Sequence, residues 1–132
     1  MMSNVGIVLV SHSYQLVEGL KVLLAQLSSD VSIVSAGGTD DDGIGTSASK
    51  IKNAIKSIYN ERGVIVFLDL GSALINIELA IEWLAEEGLN QIKIADSPLV
   101  EGSYVAVVES GCGKTLEEIY KAELEAKNII KI

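Results

Sequence analysis

The sequence predicts an α/β fold, a small doubly wound sheet of about four strands that is mainly parallel, with helices on both faces. Two observations predict this fold. Short apolar runs alternate along the chain with segments whose apolar residues recur at helical spacing. One of the runs is apolar throughout, as is typical of a parallel strand covered on both faces. With right-handed crossovers, this alternation predicts the strand order 2-1-3-4.

The predicted strands are Val5–Val10, Val31–Ser35, Gly63–Asp69 and the shorter Ile92–Ala95, which we place nearer an edge. Between the strands, apolar residues fall on one face of each predicted helix. These residues are Leu16, Leu20, Leu23, Leu24 and Leu27, then Ile51, Ile55 and Ile58, then Leu74, Ile77, Ile81 and Leu84.

The stretch after the fourth strand is ambiguous, because its valines would also suit a strand. Ser97 is a good N-cap and Pro98 a good first helical residue, so we predict a helix there. Gly111 and Gly113 end this helix, and Thr115 begins a last amphipathic helix.

Size and composition indicate one domain, residues 1–132, large enough to bury a core. Hydrophobic residues make up 48% of the chain, which argues against disorder. The net charge of −8 argues against nucleic acid or an anionic membrane as partner. The apolar runs are too short to cross a bilayer, and the first residues lack the basic start of a signal peptide. The single cysteine, Cys112, suits a cytoplasmic location.

His12, the only histidine, directly follows the first predicted strand, and a helical pattern begins after Ser13. Sites in α/β sheets form at the carboxyl ends of strands, and the start of a helix favours negative charge. An imidazole at this position suits a base, a metal ligand or a phosphoryl acceptor. The alternative is a structural histidine that caps the turn between strand and helix.

A glycine-rich segment, 36–47, follows the second predicted strand and leads into a helix. Glycine lets backbone N–H groups approach an anion closely, and hydroxyl groups at the helix start add donors. The segment therefore suits a phosphoryl group, with an ordinary long loop as the alternative. The candidate phosphate-binding residues are Gly38, Thr39, Gly43, Gly45, Thr46 and, after the third strand, Ser72.

Asp69, at the end of the third predicted strand, is the natural partner of His12. A carboxylate that accepts from one ring nitrogen fixes the tautomer and raises the basicity of the other nitrogen. Alternatively, Asp69 only caps the next turn. The triplet Asp40-Asp41-Asp42 is interpreted as a solvated acidic turn rather than a magnesium site. With one histidine and one cysteine in the chain, we expect no metal site.

Two other motifs with a known chemistry are incomplete in this sequence. Gly113-Lys114-Thr115 resembles the end of a P-loop, but Val108 occupies the required earlier glycine position and the piece lies between two predicted helices. A serine hydrolase triad lacks the G-x-S-x-G elbow. In addition, Ser11 and Ser13 are too close in sequence to His12 for an easy hydrogen bond to its ring.

Several segments together match one known family. They are 10–13, 36–38 with 43–47, 69–73 with Asn76 and Glu78, and 98–102. Through these residues, nearly the whole chain resembles the phosphotransferase subunits of phosphoenolpyruvate-dependent dihydroxyacetone kinases, relatives of the mannose-type EIIA domains of the sugar phosphotransferase system. The mannose-type sugar proteins typically have glycine where this chain has Ser11, and they lack the Gly-Thr-Ser ending of the second segment. We therefore favour the dihydroxyacetone branch.

The resemblance implies a phosphoryl relay. The phosphocarrier HPr, charged from phosphoenolpyruvate through enzyme I, passes a phosphoryl group to Nε2 of His12. The phosphohistidine then hands it to ADP on the nucleotide-binding subunit of dihydroxyacetone kinase, so this chain needs no cofactor of its own. The ATP formed phosphorylates dihydroxyacetone, a step of glycerol metabolism, on a third subunit. The resemblance also implies a homodimer, and because the chain ends at Ile132 we expect free HPr as the donor.

Because two protein-bound groups must reach one histidine, we expect a shallow, exposed site ringed by Leu16, Leu74 and Ile75. Two other functions stay open. One is an EIIA component of a mannose-family sugar permease, which passes the phosphoryl group to a IIB domain. The other is a non-catalytic flavodoxin-like binding module that binds a small ligand and forms no phosphohistidine.

Overall fold

The computed structural model describes residues 3–132 and alternates strands with helices. The strands are β1 (Gly6–Ser11), β2 (Ile33–Gly37), β3 (Val64–Leu68) and β4 (Ile92–Ile94). The helices are α1 (Tyr14–Ala25), α2 (Ala48–Ile58), α3 (Leu74–Glu86), α4 (Leu99–Gly111) and α5 (Leu116–Leu124), with 3-10 turns at Gly71–Ala73 and Glu125–Asn128.

All strand pairs are parallel, and the order is β2-β1-β3-β4, so the predicted fold class and strand order are confirmed. β1 pairs with a strand on each side, with Ile7 opposite both Ile33 and Ile65. Every residue of β1 is buried. The segment that follows β1 is therefore anchored at the centre of the sheet.

The core has a layer on each face of the sheet, because side chains along a strand point alternately to opposite faces. In β1, Ile7 and Leu9 pack in one layer, while Val8 and Val10 pack in the other. The first layer also takes the buried residues of α1, α4 and α5, and the second takes those of α2 and α3. Helices on both faces are thus confirmed.

β2 begins and ends two residues later than the predicted Val31–Ser35. Ala36 and Gly37 pair with Val10 and Ser11 in the ladder, so the glycine-rich loop begins at Gly38. The apolar run alone does not mark this end of the strand, since small residues continue the pairing.

The predicted cap by Ser97 is wrong. α4 begins at Leu99, and the hydroxyl of Ser97 donates instead to Oε1 of Glu123 at 2.6 Å. Glu123 is fully buried on α5, and the N–H of Asp96 donates to the same oxygen. Glu123 of α5 therefore fixes the loop that follows β4 through these two hydrogen bonds. Thr115 does begin α5 as predicted, as part of a capping box with Glu118.

Within residues 3–132, no helix is long and apolar enough to cross a membrane. Cys112 is a free, exposed thiol.

Candidate functional site

The segments that follow β1, β2 and β3 meet at the carboxyl edge of the sheet. The N–H of Gly38 donates to the carbonyl of Ser11 at 3.0 Å, and the N–H of Gly45 donates to the carbonyl of His12 at 2.9 Å. From the other side, the N–H of Asp69 donates to the carbonyl of Val10 at 3.1 Å. Parallel pairing of β1 with β2 and β3 produces this convergence, since all three strands end at one edge.

The Asp69 carboxylate accepts hydrogen bonds from four donors. Oδ2 accepts from the hydroxyl of Ser11 at 2.8 Å and from the N–H of His12 at 2.9 Å. Oδ1 accepts from the N–H of Leu70 at 2.6 Å and lies 3.0 Å from Nδ1 of His12. The predicted partnership of Asp69 with His12 is therefore present in the geometry.

Burial by itself raises the pKa of Asp69, but the hydrogen bonds from His12, Leu70 and Ser11 outweigh that effect and hold the pKa below its ordinary value of 3.8. Such bonds favour the charged form, because a carboxylate is a better acceptor than a carboxylic acid. Asp69 is thus an anion at neutral pH.

An ionised Asp69 determines the tautomer of His12. The carboxylate has no proton to donate, so Nδ1 of the ring carries the hydrogen of the 3.0 Å contact. In the neutral ring, Nε2 then has the free lone pair. The hydroxyl of Ser72 lies 2.9 Å from Nε2 and donates to it. Nε2 is therefore the ring nitrogen that carries no hydrogen in this tautomer.

Ser72, His12 and Asp69 form the same series of hydrogen bonds as a serine hydrolase triad. The serines weighed above for such a triad, Ser11 and Ser13, have other roles. Ser11 instead is buried and donates to Asp69, and Ser13 caps α1 by accepting from the N–H of Leu16. Ser72 comes from the 3-10 turn after β3, which faces the end of β1 across the sheet.

The surroundings of His12 are open. Its side chain is 22% exposed. The three apolar residues expected around the mouth are all exposed, with Ile75 at 75% and Leu74 at 37%. Leu74 is therefore outside the core, and these side chains are available for contact. Further exposed apolar residues in the same segments are Tyr14, Ile44 and Leu70.

The glycine-rich loop uses its own N–H groups to hold its shape. In addition to the bonds of Gly38 and Gly45, the N–H of Thr39 donates to the carbonyl of Gly43 and the N–H of Gly43 donates to Oγ1 of Thr39, both at 3.0 Å. These four N–H groups, which are predicted from residue type to bind phosphate, therefore have acceptors within the chain. Oγ1 of Thr46 accepts from the side-chain amide of Asn76 at 2.7 Å.

Two glycines of this loop have a positive φ, a backbone conformation that residues with side chains rarely adopt. Gly38 has φ +80, and an added Cβ would lie 2.9 Å from the carbonyl oxygen of Gly43. Gly45 has φ +138, and its Cβ would lie 2.9 Å from the Thr39 side chain. Glycine is thus required here for the path of the chain itself.

Acidic residues of the loop are engaged by neighbouring side chains. Oδ1 of Asp40 accepts from the hydroxyl of Ser47, and Oδ1 of Asp42 accepts from the ammonium of Lys50. Across the described part of the chain, no group of three or more His, Cys, Asp or Glu side chains is arranged to hold a metal ion.

Lys50 also belongs to this region, although it is not among the predicted site residues. Its ammonium donates to the carbonyl of Gly37 at 2.8 Å and to that of Thr39 at 3.0 Å. A signal was present in the sequence, because a lysine in the first turn of a helix opposes the helix dipole and so indicates a compensating contact.

Comparisons with known proteins show which family the chain resembles. A family described as the PTS system fructose IIA component, EIIA-man, matches residues 6–120. The phosphoryl donor subunit DhaM of PEP-dependent dihydroxyacetone kinase 2 from Listeria innocua is 40% identical over 116 residues, covering 87% of this chain and 93% of that protein. The phosphotransferase subunit DhaM of the PTS-dependent dihydroxyacetone kinase from Lactococcus lactis is 39% identical over 127 residues, covering 96% and 98%.

One solved structure, that of a protein of unknown function, is 34% identical to this chain, with a TM-score of 0.83. The match covers 99% of this chain and 98% of that one. The fold is therefore shared along the whole length of both proteins.

Proposed function

The chain belongs to the EIIA-man family and, within it, to the DhaM subunits of dihydroxyacetone kinases, and on this premise we propose that His12 carries a phosphoryl group from HPr to ADP on the nucleotide-binding subunit of that kinase. The observation that supports the proposal is the state of His12, whose Nδ1 is held by Asp69 while Nε2 accepts a hydrogen bond only from the hydroxyl of Ser72, with 22% of the side chain exposed.

In the loading step, the Nε2 lone pair attacks phosphorus and the bond from phosphorus to the donor atom of HPr breaks. The ring becomes positively charged, and the Asp69 carboxylate stabilises that charge through Nδ1–H. The hydroxyl of Ser72 leaves Nε2 as the new bond forms and donates to a phosphoryl oxygen. No proton has to enter or leave the ring.

In the unloading step, an oxygen of the terminal phosphate of ADP attacks the same phosphorus and the Nε2–P bond breaks. His12 returns to its neutral tautomer with the proton still on Nδ1, and the partner subunit holds the ATP formed. The exposed surroundings of His12 suit this exchange, because two bulky partners must reach the same atom in turn.

The proposal includes four further points. The chain acts as a phosphotransferase in the cytoplasm. It works as one domain over residues 1–132, it forms a homodimer, and it requires no metal or cofactor of its own. The homodimer is implied by the resemblance alone, and it is tested by the mass of the purified protein in solution by light scattering.

The first experiment measures intact mass after incubation with phosphoenolpyruvate, enzyme I and HPr. We expect one added phosphoryl group that is lost in acid and absent from His12→Ala, whose circular dichroism matches that of the wild type. If charged HPr leaves the mass of the wild type unchanged, the proposal is wrong. A collapsed His12→Ala would instead support a structural histidine.

The second experiment identifies the acceptor. The isolated phosphorylated chain is mixed with the ADP-loaded nucleotide subunit of dihydroxyacetone kinase or with a mannose-type IIB domain. We expect transfer to ADP, seen as ATP, and little transfer to the IIB domain. The opposite preference would favour the sugar-permease function.

A further inference from the structure

Lys50 lies at the third position of α2, on the turn that follows the glycine-rich loop. Ser47 caps this helix by accepting from the N–H of Lys50 at 3.1 Å, and the first turn contains no acidic residue. A cation at this end of a helix faces the positive pole of the dipole, which is unfavourable. A tertiary contact must therefore compensate for the position.

That contact uses every proton of the ammonium group. Lysine has three N–H donors. In this structure they reach the carbonyls of Gly37 and Thr39 and the carboxylate of Asp42. The side chain is 27% exposed, so these bonds are partly shielded from water. Because no donor is left over, Lys50 is not arranged as a ligand for a bound phosphate.

The acceptors of Lys50 are spread along the loop. Gly37 ends β2, Thr39 lies where the loop begins, and Asp42 is at its turn. Asp42 has φ 61, the one positive φ outside glycine within residues 3–132. Its pairing with Lys50 holds the chain in this conformation. The ammonium also lies 5.4 Å from the centre of the Tyr14 ring, at the start of α1.

The loop in turn contacts the nucleophile's own backbone, since Gly45 donates to the carbonyl of His12. We propose that Lys50 is a positioning residue for phosphoryl transfer, which holds the glycine-rich loop against His12 by a three-point contact of its ammonium. The inference rests on the proposed function, and its structural half, the fixing of the loop, is measurable without any transfer.

The test compares three variants. Lys50→Met keeps the length of the side chain and removes all donors. Lys50→Arg keeps the charge, but a planar guanidinium does not reproduce the directions of an ammonium. Lys56→Met is the control, because Lys56 lies on the same helix and donates to Glu87, outside the loop. Two quantities are measured well below the melting temperature: amide exchange at Gly45 relative to Val8, and the kinetics of phosphoryl transfer from HPr.

For Lys50→Met we expect exchange at Gly45 to accelerate about 10-fold or more while Val8 is unchanged. We expect kcat for transfer to fall on the order of 10- to 100-fold with KM for HPr within about twofold, because misplacement of a site lowers the rate more than the docking affinity. Lys50→Arg should restore neither quantity fully, and Lys56→Met should match the wild type.

Unchanged exchange at Gly45 in Lys50→Met would overturn the inference, as would unchanged kcat. Full rescue by Lys50→Arg would also overturn it, because charge alone would then suffice. If wild type and Lys56→Met both fail to accept a phosphoryl group, the proposed function is wrong and the catalytic half of the inference falls with it. In that case accelerated exchange at Gly45 supports the structural half, and unchanged exchange refutes it.

Discussion

The hydroxyl of Ser72 lies 2.9 Å from Nε2 of His12, on the nitrogen that the phosphoryl group takes in the proposed reaction. The same hydroxyl that orients the free ring therefore has to move when the Nε2–P bond forms. Its new acceptors are the phosphoryl oxygens, whose charge it stabilises.

Ser72→Ala removes this donor and leaves the contact of His12 with Asp69 in place. We expect transfer from HPr to slow by about 10-fold or more, because a donor aimed at developing charge contributes to the rate. Rapid-quench kinetics measure the effect. Ser57→Ala is the control, since its hydroxyl donates within the last turn of α2. Equal transfer rates for Ser72→Ala and Ser57→Ala would show that the Ser72 hydroxyl does not contribute to transfer.

Asp69→Asn should affect both transfer and stability. The amide keeps one oxygen but places an NH₂ group where the other carboxylate oxygen accepts hydrogen bonds, so some of the four donors lose their acceptor. We expect phosphoryl transfer to slow by about 100-fold and the free energy of unfolding to fall by about 2 kcal/mol. Rates and urea unfolding, each compared with the exposed Asp30→Asn, check this. Wild-type kinetics in Asp69→Asn would contradict the assigned role.

The pH dependence of stability follows from the direction of the Asp69 shift. Its pKa is below 3.8 in the folded protein, so the native state binds fewer protons than the unfolded state in acid. The stability from Asp69 is therefore present above the unfolded pKa and is lost as pH falls through the folded one. Urea midpoints between about pH 2 and 6 should show the gap between wild type and Asp69→Asn closing in acid. A difference in urea midpoint that stays constant over this pH range would contradict the lowered pKa of Asp69.

The contribution of Glu123 to stability should depend on pH in the opposite direction to that of Asp69. Burial raises its pKa above 4.5, outweighing the hydrogen bonds from Ser97 and from the N–H of Asp96, with the Asp96 charge adding to the rise and Lys127 opposing it. The native state then holds a proton that the unfolded state has lost. The stability linked to this proton is complete below the unfolded pKa and is lost as pH rises through the folded one.

Glu123→Gln tests this linkage, because the amide stays neutral at every pH. We expect its unfolding free energy to fall less than that of the wild type as pH rises from about 4 to 8. Glu125→Gln is the matched control, because Glu125 is exposed and lies two residues further along the chain. Parallel pH profiles for Glu123→Gln and wild type would show that Glu123 is not protonated in the fold.

Ile75→Asn tests the apolar residues around His12. Ile75 is 75% exposed, so the change should leave the melting temperature nearly unaltered. We expect KM for HPr to rise about 10-fold with kcat unchanged, as for an apolar contact at a docking surface. Val22→Asn, at a 67% exposed position further along α1, is the control. Equal KM values for the two variants would place docking elsewhere.

The strands and the meeting of His12 with Asp69 were predictable, because both follow from local patterns and from parallel pairing. Buried runs such as β1 and β3 mark the strands, and parallel strands bring their carboxyl ends to one edge. Asp69 then faces His12 across one strand spacing, and no information on side-chain conformation is needed to predict it.

What the sequence did not yield depends on contacts between distant residues. Ser97 is a good N-cap by residue type. Its hydroxyl nevertheless donates a hydrogen bond to the carboxyl group of Glu123 on α5, far along the chain. The position of Lys50 in the first turn of α2 indicates that some compensating contact exists, but two of its three acceptors are backbone carbonyls, which carry no sequence signature. Residue type alone predicts that the loop N–H groups bind phosphate, whereas in the structure they donate to backbone carbonyls and to the hydroxyl of Thr39.

The full burial of β1 has a consequence for how partner choice evolves. His12 follows a fully buried strand and is held by Asp69, while the exposed apolar residues expected around it lie outside the core. If the proposed function is correct, specificity and chemistry are separable traits. Replacing the exposed apolar residues should then change the choice of partner without any change to the histidine proposed to carry the phosphoryl group.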